Sequence, residues 1–151
     1  MEDPKVVEAL LADLKSHEGF EERIYLDSQG HKTMGIGHLI TKDCPEWDLP
    51  VGTPVSRERV IEVFHGDIRL AYWTAYSIFD DLAERPMAVQ RVILNMAFNL
   101  GRSRLLQFKN MIAAYDAHDY ERMAAEMKDS LWYKQTGKRA RHLVALIKEM
   151  A

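Results

Sequence analysis

The chain is short of cysteine. Cys44 is the only one, so no intrachain disulfide can form and the fold must be held by packing. One thiol does not fix a redox compartment either. An excess of positive charge is also missing. Lys and Arg number 20 against 23 Asp and Glu, and the net charge of −3 leaves no electrostatic footprint for nucleic acid. The same balance gives no means of disrupting anionic lipid. No apolar run approaches the ~20 residues a membrane span needs, so stable membrane insertion is not expected. The opening stretch "MEDPKVVEALLADLKSHEG" lacks a basic n-region, an apolar core and a small-residue cleavage site. It does not read as a signal peptide, which points to a cytoplasmic start. Repeats and low-complexity tracts are absent as well.

What remains is an ordinary globular composition. Hydrophobic residues make up 47% of 151, enough for a real core in one domain of two small lobes. Asp3 and Pro4 mark a helix start, and Val6, Val7, Leu10, Leu11 and Leu14 recur at helical spacing until Gly19 stops them. Glu18 therefore falls on the last turn. "FEERIYLD" and "HKTMGIGH", separated by Ser28-Gln29-Gly30, predict a β-hairpin whose return strand, Lys32 to Gly37, is broken by glycine. The proline-rich stretch to Ser56 reads as loop. Ser56 then caps a helix with apolar positions Val60, Phe64, Ile68, Ala71, Ala75 and Ile78, predicted to run to about Phe79. Pro86 opens "MAVQRVILNMAFNLG", apolar nearly all round, which predicts a buried central helix closed by Gly101. Further helices are expected over about Leu105 to Asp116, Tyr120 to Lys128 and Gly137 to Met150.

The segment "HEGFEERIYLDSQGHKTMGIGH" holds the chemistry. A hairpin folding back over a helix end can turn Glu18, Asp27 and Thr33 toward one place. Two carboxylates flanking a gap suit glycoside hydrolysis, in which one protonates the leaving oxygen and the other activates water or stabilises positive charge. A threonine hydroxyl can position that water. From spacing alone the bland alternative stays open, since carboxylates at helix ends and turns are usually just solvated. Cys44 precedes Pro45 in a polar loop with no basic neighbour beyond Lys42, which argues against a nucleophile. His17, His31 and His38 match no zinc spacing and no cysteine joins them, so neither metal nor cofactor is expected. Tyr72, Trp73 and Tyr76 suit helix packing better than a sugar platform.

The same segment resembles the catalytic hairpin of the phage-type lysozymes, glycoside hydrolase family 24, and of the T-even endolysins in particular. The family pattern is E-G, then Y-x-D, then G-x-x-T-x-G-x-G-H. It is met by Glu18-Gly19, Tyr25 and Asp27, and then by Gly30, Thr33, Gly35, Gly37 and His38. "NMAFNLG" and "SLWYKQTGKRA" are similar to the family's central helix and its Trp-Tyr-x-Gln-Thr…Arg-Ala segment. The resemblance implies an α+β, mostly α, lysozyme-like fold. It has an N-terminal lobe over about 15–60, a linking helix over about 56–79 and a helical C-terminal lobe over about 80–151, with the first helix packed on that lobe.

The resemblance also implies roles. Glu18 is then the general acid, Asp27 the second carboxylate and Thr33 the water-positioning hydroxyl. Leu39 and Phe98 line the sugar groove, Arg139 reaches the catalytic glutamate, and His38 and Asp67 form a structural pair. It implies a monomeric endolysin that cleaves the β-1,4 bond between N-acetylmuramic acid and N-acetylglucosamine of peptidoglycan with inversion. Such an enzyme waits in the host cytoplasm until a holin opens the membrane, then acts on the wall from the periplasm and lyses the host. Two rivals stand: a lytic transglycosylase that forms a 1,6-anhydro sugar, and an inactive glycan-binding or tail-associated protein. The sequence also departs from the pattern. Residues Leu39 to Ser56 are shorter and proline-rich, a terminal helix is not seen before Ala151, and His17 replaces an acidic residue. Met111 and Glu126 stand where polar sugar contacts occur in the family.

Overall fold

The computed structural model describes residues 3–150. The fold is mostly helical with one small antiparallel sheet. Helix α1 covers Pro4–Glu18, and strands β1 (Glu21–Leu26), β2 (Lys32–Gly35) and β3 (His38–Leu39) follow in that spatial order. Helices α2 (Arg57–Ile78), α3 (Met87–Leu105), α4 (Lys109–Asp116), α5 (Tyr120–Lys128), α6 (Leu131–Thr136) and α7 (Lys138–Met150) complete it, with a 3-10 turn at Leu82–Glu84.

The helix signals act as expected. Asp3 Oδ1 accepts from the Lys5 backbone N–H at 2.9 Å, and Ser56 Oγ accepts from that of Arg59 at 3.2 Å. Each cap satisfies a donor the helix leaves orphaned, worth about 1 kcal/mol. Gly19, at φ +78°, ends α1 immediately after Glu18.

The hairpin differs from expectation in one respect. The return strand does not run to Gly37. It ends at Gly35, turns through Ile36 and Gly37, and comes back as β3. Gly35 (φ +61°) and Gly37 (φ +64°) supply backbone conformations that other residues rarely adopt. Two glycines one residue apart thus encode a turn rather than a broken strand. The proline-rich segment has a structural job too. It bonds along the free edge of β1, through Ile24 N–H to Thr53 C=O (2.9 Å), Gly52 N–H to Ile24 C=O (2.7 Å) and Val55 N–H to Glu22 C=O (2.9 Å). An exposed strand edge is thereby covered.

The helical stretches hold two further differences. Gly101, at φ +75° and ψ +172°, breaks α3 where the sequence predicts, a short helical stretch follows to Leu105, and the helix expected from Leu105 begins only at Lys109. The short α6 was not expected. Ser130 caps it, its Oγ accepting from the Tyr133 N–H at 3.1 Å, and Gly137 closes it.

Two compact units result, Leu11–Leu70 and Ala71–Ala151 together with Met1–Leu10. The predicted linking helix is shared between them: α2 gives its first part to one unit and its last part to the other. In the helical unit Val92 to Ala97 is a continuous buried run on α3, as the all-round apolar sequence predicts. The guanidinium of Arg85 stacks 3.8 Å above the Tyr115 ring and donates to the Tyr115 carbonyl (2.7 Å) and the Tyr120 hydroxyl (3.0 Å). Asp81 accepts from Arg85 and from the Tyr115 hydroxyl, and the buried charge is thereby fully partnered. Among the described residues no helix is long and apolar enough to cross a membrane.

Candidate active site

The unit Leu11–Leu70 contains Glu18, Asp27, Thr33, Leu39, His38 and Asp67 together. Glu18 is half-buried at the last position of α1. Its carboxylate rests on the backbone of Gly37. A Cβ at that glycine would stand 2.7 Å from Glu18 Cδ and 2.9 and 3.0 Å from its two oxygens. Helix end and tight turn therefore fix this carboxyl jointly.

The sheet register sets the rest. Tyr25 pairs with Thr33, and Thr33 pairs with Leu39, so the three form one rung across β1, β2 and β3 and share a face. Ile24, Met34 and His38 form the adjacent rung, which points to the other face. Asp27 lies just beyond β1, and its own N–H bonds to the His31 carbonyl at 2.9 Å.

Asp27 is built to stay charged. The backbone N–H of His31 donates to Oδ1 at 2.8 Å and holds its pKa below the usual carboxylate range, against the opposing effect of burial. The Gln29 N–H adds a second bond at 2.9 Å, and the His31 ring lies 3.6 Å from Oδ2. Thr33 is 4% exposed, and its hydroxyl donates to the His31 carbonyl at 2.9 Å. With that proton committed, the oxygen is left as an acceptor.

Tyr25 carries the electrostatic signature of the place. Burial pushes its phenol above the ordinary value, and the negative charges of Glu18, Glu21 and Asp27 push it the same way. Its motif position was visible in the sequence, but its place among three carboxylates was not. The seat that Gly37 gives Glu18 was likewise missed; the closely spaced glycines were its signal.

The remaining predicted residues divide. Leu39 is 50% exposed, an open apolar surface on the Thr33 rung. His38 Nδ1 lies 2.7 Å from Asp67 Oδ2. The hydrogen bond to Asp67 holds the imidazole pKa above its ordinary value; burial opposes this and Cys44 reinforces it. Phe98 and Arg139 belong to the helical unit. Phe98 is half-buried on α3, and Arg139 is buried on α7, where its Nε donates to Asn95 Oδ1 at 2.8 Å. Folding gives Cys44 a basic neighbour that the loop sequence lacks. His38 Nε2 lies 3.7 Å from Sγ.

The helical unit holds a cavity of about 500 Å³, lined by Phe108, Met111, Glu126 and Trp132 among others, with Arg104 and Lys109 at hand. The Trp132 indole is fixed there by a 2.9 Å bond to Asn99 Oδ1 and an edge contact with Phe108. None of the three predicted catalytic groups lines it. Among the described residues no group of three or more His, Cys, Asp or Glu side chains could hold a metal ion.

Comparison with known proteins places the chain in a family. The family described as phage lysozyme matches residues 15–148. The pre-baseplate central spike protein Gp5 of Enterobacteria phage T4 is 28% identical over 89% of this chain and 26% of its own length. The peptidoglycan hydrolase gp36 of Pseudomonas phage phiKMV is 30% identical over 92% of this chain and 15% of its own. A probable T4-type lysozyme of Dictyostelium discoideum is 27% identical, over 93% of this chain and 94% of its own. The chain thus spans about a quarter or less of the two phage relatives and nearly all of the third.

Proposed function

The chain belongs to the phage lysozyme family, and from that premise we propose that it is a muramidase acting on peptidoglycan. The bond cleaved is the β-1,4 link between N-acetylmuramic acid and N-acetylglucosamine. One observation carries the reading: a single sheet and helix end hold a seated carboxyl, Glu18, an ionised carboxylate, Asp27, and a buried hydroxyl with its proton engaged, Thr33.

Each group then has one task. Glu18 gives its proton to the leaving glycosidic oxygen as the bond to the anomeric carbon breaks. Asp27 accepts a proton from water on the opposite face of the sugar, and the water oxygen bonds to that carbon. Thr33 accepts the water's second hydrogen and aims its lone pair. The configuration inverts. Leu39 offers apolar surface to a sugar ring. Proton NMR of fresh product from a soluble glycan fragment tests the mechanism. The α-anomer should appear first. Initial β-anomer excludes inversion, and an anhydro sugar identifies a transglycosylase.

The biological setting that fits the family is host lysis by a monomeric endolysin made in the cytoplasm and released by a holin. Expression in a bacterial host without holin should be tolerated until chloroform is added, and lysis should then be prompt. Prompt lysis without chloroform would overturn the dependence on a holin. A second reading is favoured by the Gp5 likeness: a wall-degrading module carried on a phage particle. Antibody detection of the chain on purified virions separates the two.

A further inference from the structure

We propose that His31 is a positioning residue for the second carboxylate: its imidazole stands beside the one oxygen of Asp27 left for water, and the charge of the ring sets how readily that oxygen takes a proton. The inference rests on the muramidase reading of Asp27 and adds a residue that falls on an unspecified position of the motif. The two lie four apart in sequence, across Ser28-Gln29-Gly30, and Gly30 at φ +83° lets the chain turn back. The oxygens of Asp27 are then not equivalent. Oδ1 accepts the backbone N–H of His31 at 2.8 Å and that of Gln29 at 2.9 Å. Two bonds to one atom use its lone pairs, so Oδ2 is the oxygen with capacity to spare. His31 Nδ1 lies 3.6 Å from Oδ2.

The main chain and the side chain of His31 do separate things. Its carbonyl accepts from the Asp27 N–H and from the Thr33 hydroxyl, both at 2.9 Å, while its N–H holds Oδ1. Any side chain other than proline keeps these bonds. The ring itself is 59% exposed, so it can be exchanged without disturbing the core. Among the described residues Asp27 is the charged group that the ring meets. Lys32, next in sequence, turns its ammonium to the carbonyls of Trp47 and Leu49. Glu18 from α1 and Glu21 from β1 act with Asp27 on the Tyr25 phenol.

Imidazole is the side chain that changes charge between about pH 5 and 8. When neutral, the ring leaves Oδ2 to accept the water's proton. When protonated, it points positive charge at Oδ2, favours the ionised carboxylate and makes it a weaker base. Asp27 is already held below the usual carboxylate range, chiefly by the backbone N–H of His31, and the ring acts in the same direction. Catalysis should therefore slow on the acid side through His31, at a pH where Asp27 itself is still ionised.

The test measures kcat on a soluble glycan fragment from pH 5 to 8 for wild type, His31→Gln and His31→Arg, with folding checked by circular dichroism. Glu18 is common to all three chains, so the ratio of variant to wild type at each pH isolates the ring. His31→Gln never carries the charge. Its ratio should be near one at pH 8 and rise to about two- to fivefold at pH 5, the range set by exposed ion pairs. His31→Arg always carries it. Its ratio should be near one at pH 5 and fall to between about a half and a fifth at pH 8. KM and melting temperature should stay as in wild type. A merely structural residue would not give pH dependences that differ in this way between the two variants. Asp27→Asn separates this inference from the reading beneath it. Near-complete loss of activity in Asp27→Asn, with ratios independent of pH in both His31 variants, would overturn the role of His31 alone. Retained activity in Asp27→Asn would remove Asp27 as the base and the inference with it.

Discussion

The unit Leu11–Leu70 and the helical unit solve different problems. In the helical unit, fully buried side chains such as Phe79, Ile93, Leu94, Met96, Leu105, Met111 and Tyr115 stabilise the fold. Of its two buried arginines, Arg85 is locked into Asp81, Tyr115 and Tyr120, and Arg139 donates to Asn95. The other unit has few such residues, chiefly Leu14, Ile24 and Met34. It relies instead on directional devices: glycines at positive φ, the backbone bonds to Asp27, the clamp of Lys32 Nζ on the carbonyls of Trp47 and Leu49, and the ion pairs Glu46–Arg59 and His38–Asp67. A site needs groups held at fixed angles with polar atoms still available, and close apolar packing alone cannot supply that. With the site as proposed, stability and chemistry sit on separable parts of the sequence.

Variants can break that separation. The largest effect on activity is expected at Glu18→Gln. An amide cannot donate the proton, so lysis of permeabilised cells should fall by about 10²–10⁴-fold while the melting temperature holds. Turnover like that of wild type would remove Glu18 from the acid role. Next comes Gly37→Ala. The added methyl would meet Glu18 at 2.7 Å on a backbone at φ +64°, so the carboxyl must shift. A misplacement of about 1 Å costs roughly 10²-fold, and activity should drop by about that much. Full activity would show that the seat is not required. In the helical unit Ile93→Ala should do the reverse. It should lose about 2–5 kcal/mol on urea unfolding and keep its activity per folded molecule. A loss of activity in the folded variant would show that the two parts are not separable in this way.

The same division explains what the sequence disclosed. The helices were legible because hydrophobic period and punctuation agree. Tyr120–Lys128 starts after the Asp119 cap, whose side chain accepts from the Arg122 N–H at 3.1 Å. The central helix was visible from its all-round apolar face. Glu18, Asp27 and Thr33 stood out through their motif, and the sheet register then placed Thr33 beside Tyr25. What was not legible depended on tertiary placement or on short-range geometry. α6 is too short to show a period, and β3 is two residues long. The contact of Cys44 with His38 was hidden because His38 approaches through the fold rather than along the loop. Local sequence rules therefore fail most in the unit that depends on directional contacts.

The smallest effect is expected at Asp67→Asn, and it tests whether the His38 pair belongs to that directional scaffold. Asp67 holds the folded pKa of His38 above its ordinary value of ~6.5. A raised cationic pKa means that folding favours the protonated ring. The contribution is fully present below ~6.5 and is lost as pH rises through the folded value. Both partners are partly exposed, so screening moderates the pair. Removing the carboxylate should lower the melting temperature by a few degrees at pH 5.5, at about 2–4 °C for each kcal/mol in a chain of this size. The deficit should shrink as the pH is raised to 9, where the wild-type histidine is neutral as well. Calorimetric melts of wild type and variant across that range decide the matter. A deficit that is constant with pH would mean that Asp67 acts through its neutral hydrogen bond or its packing, and an absent deficit would take the pair out of the scaffold altogether.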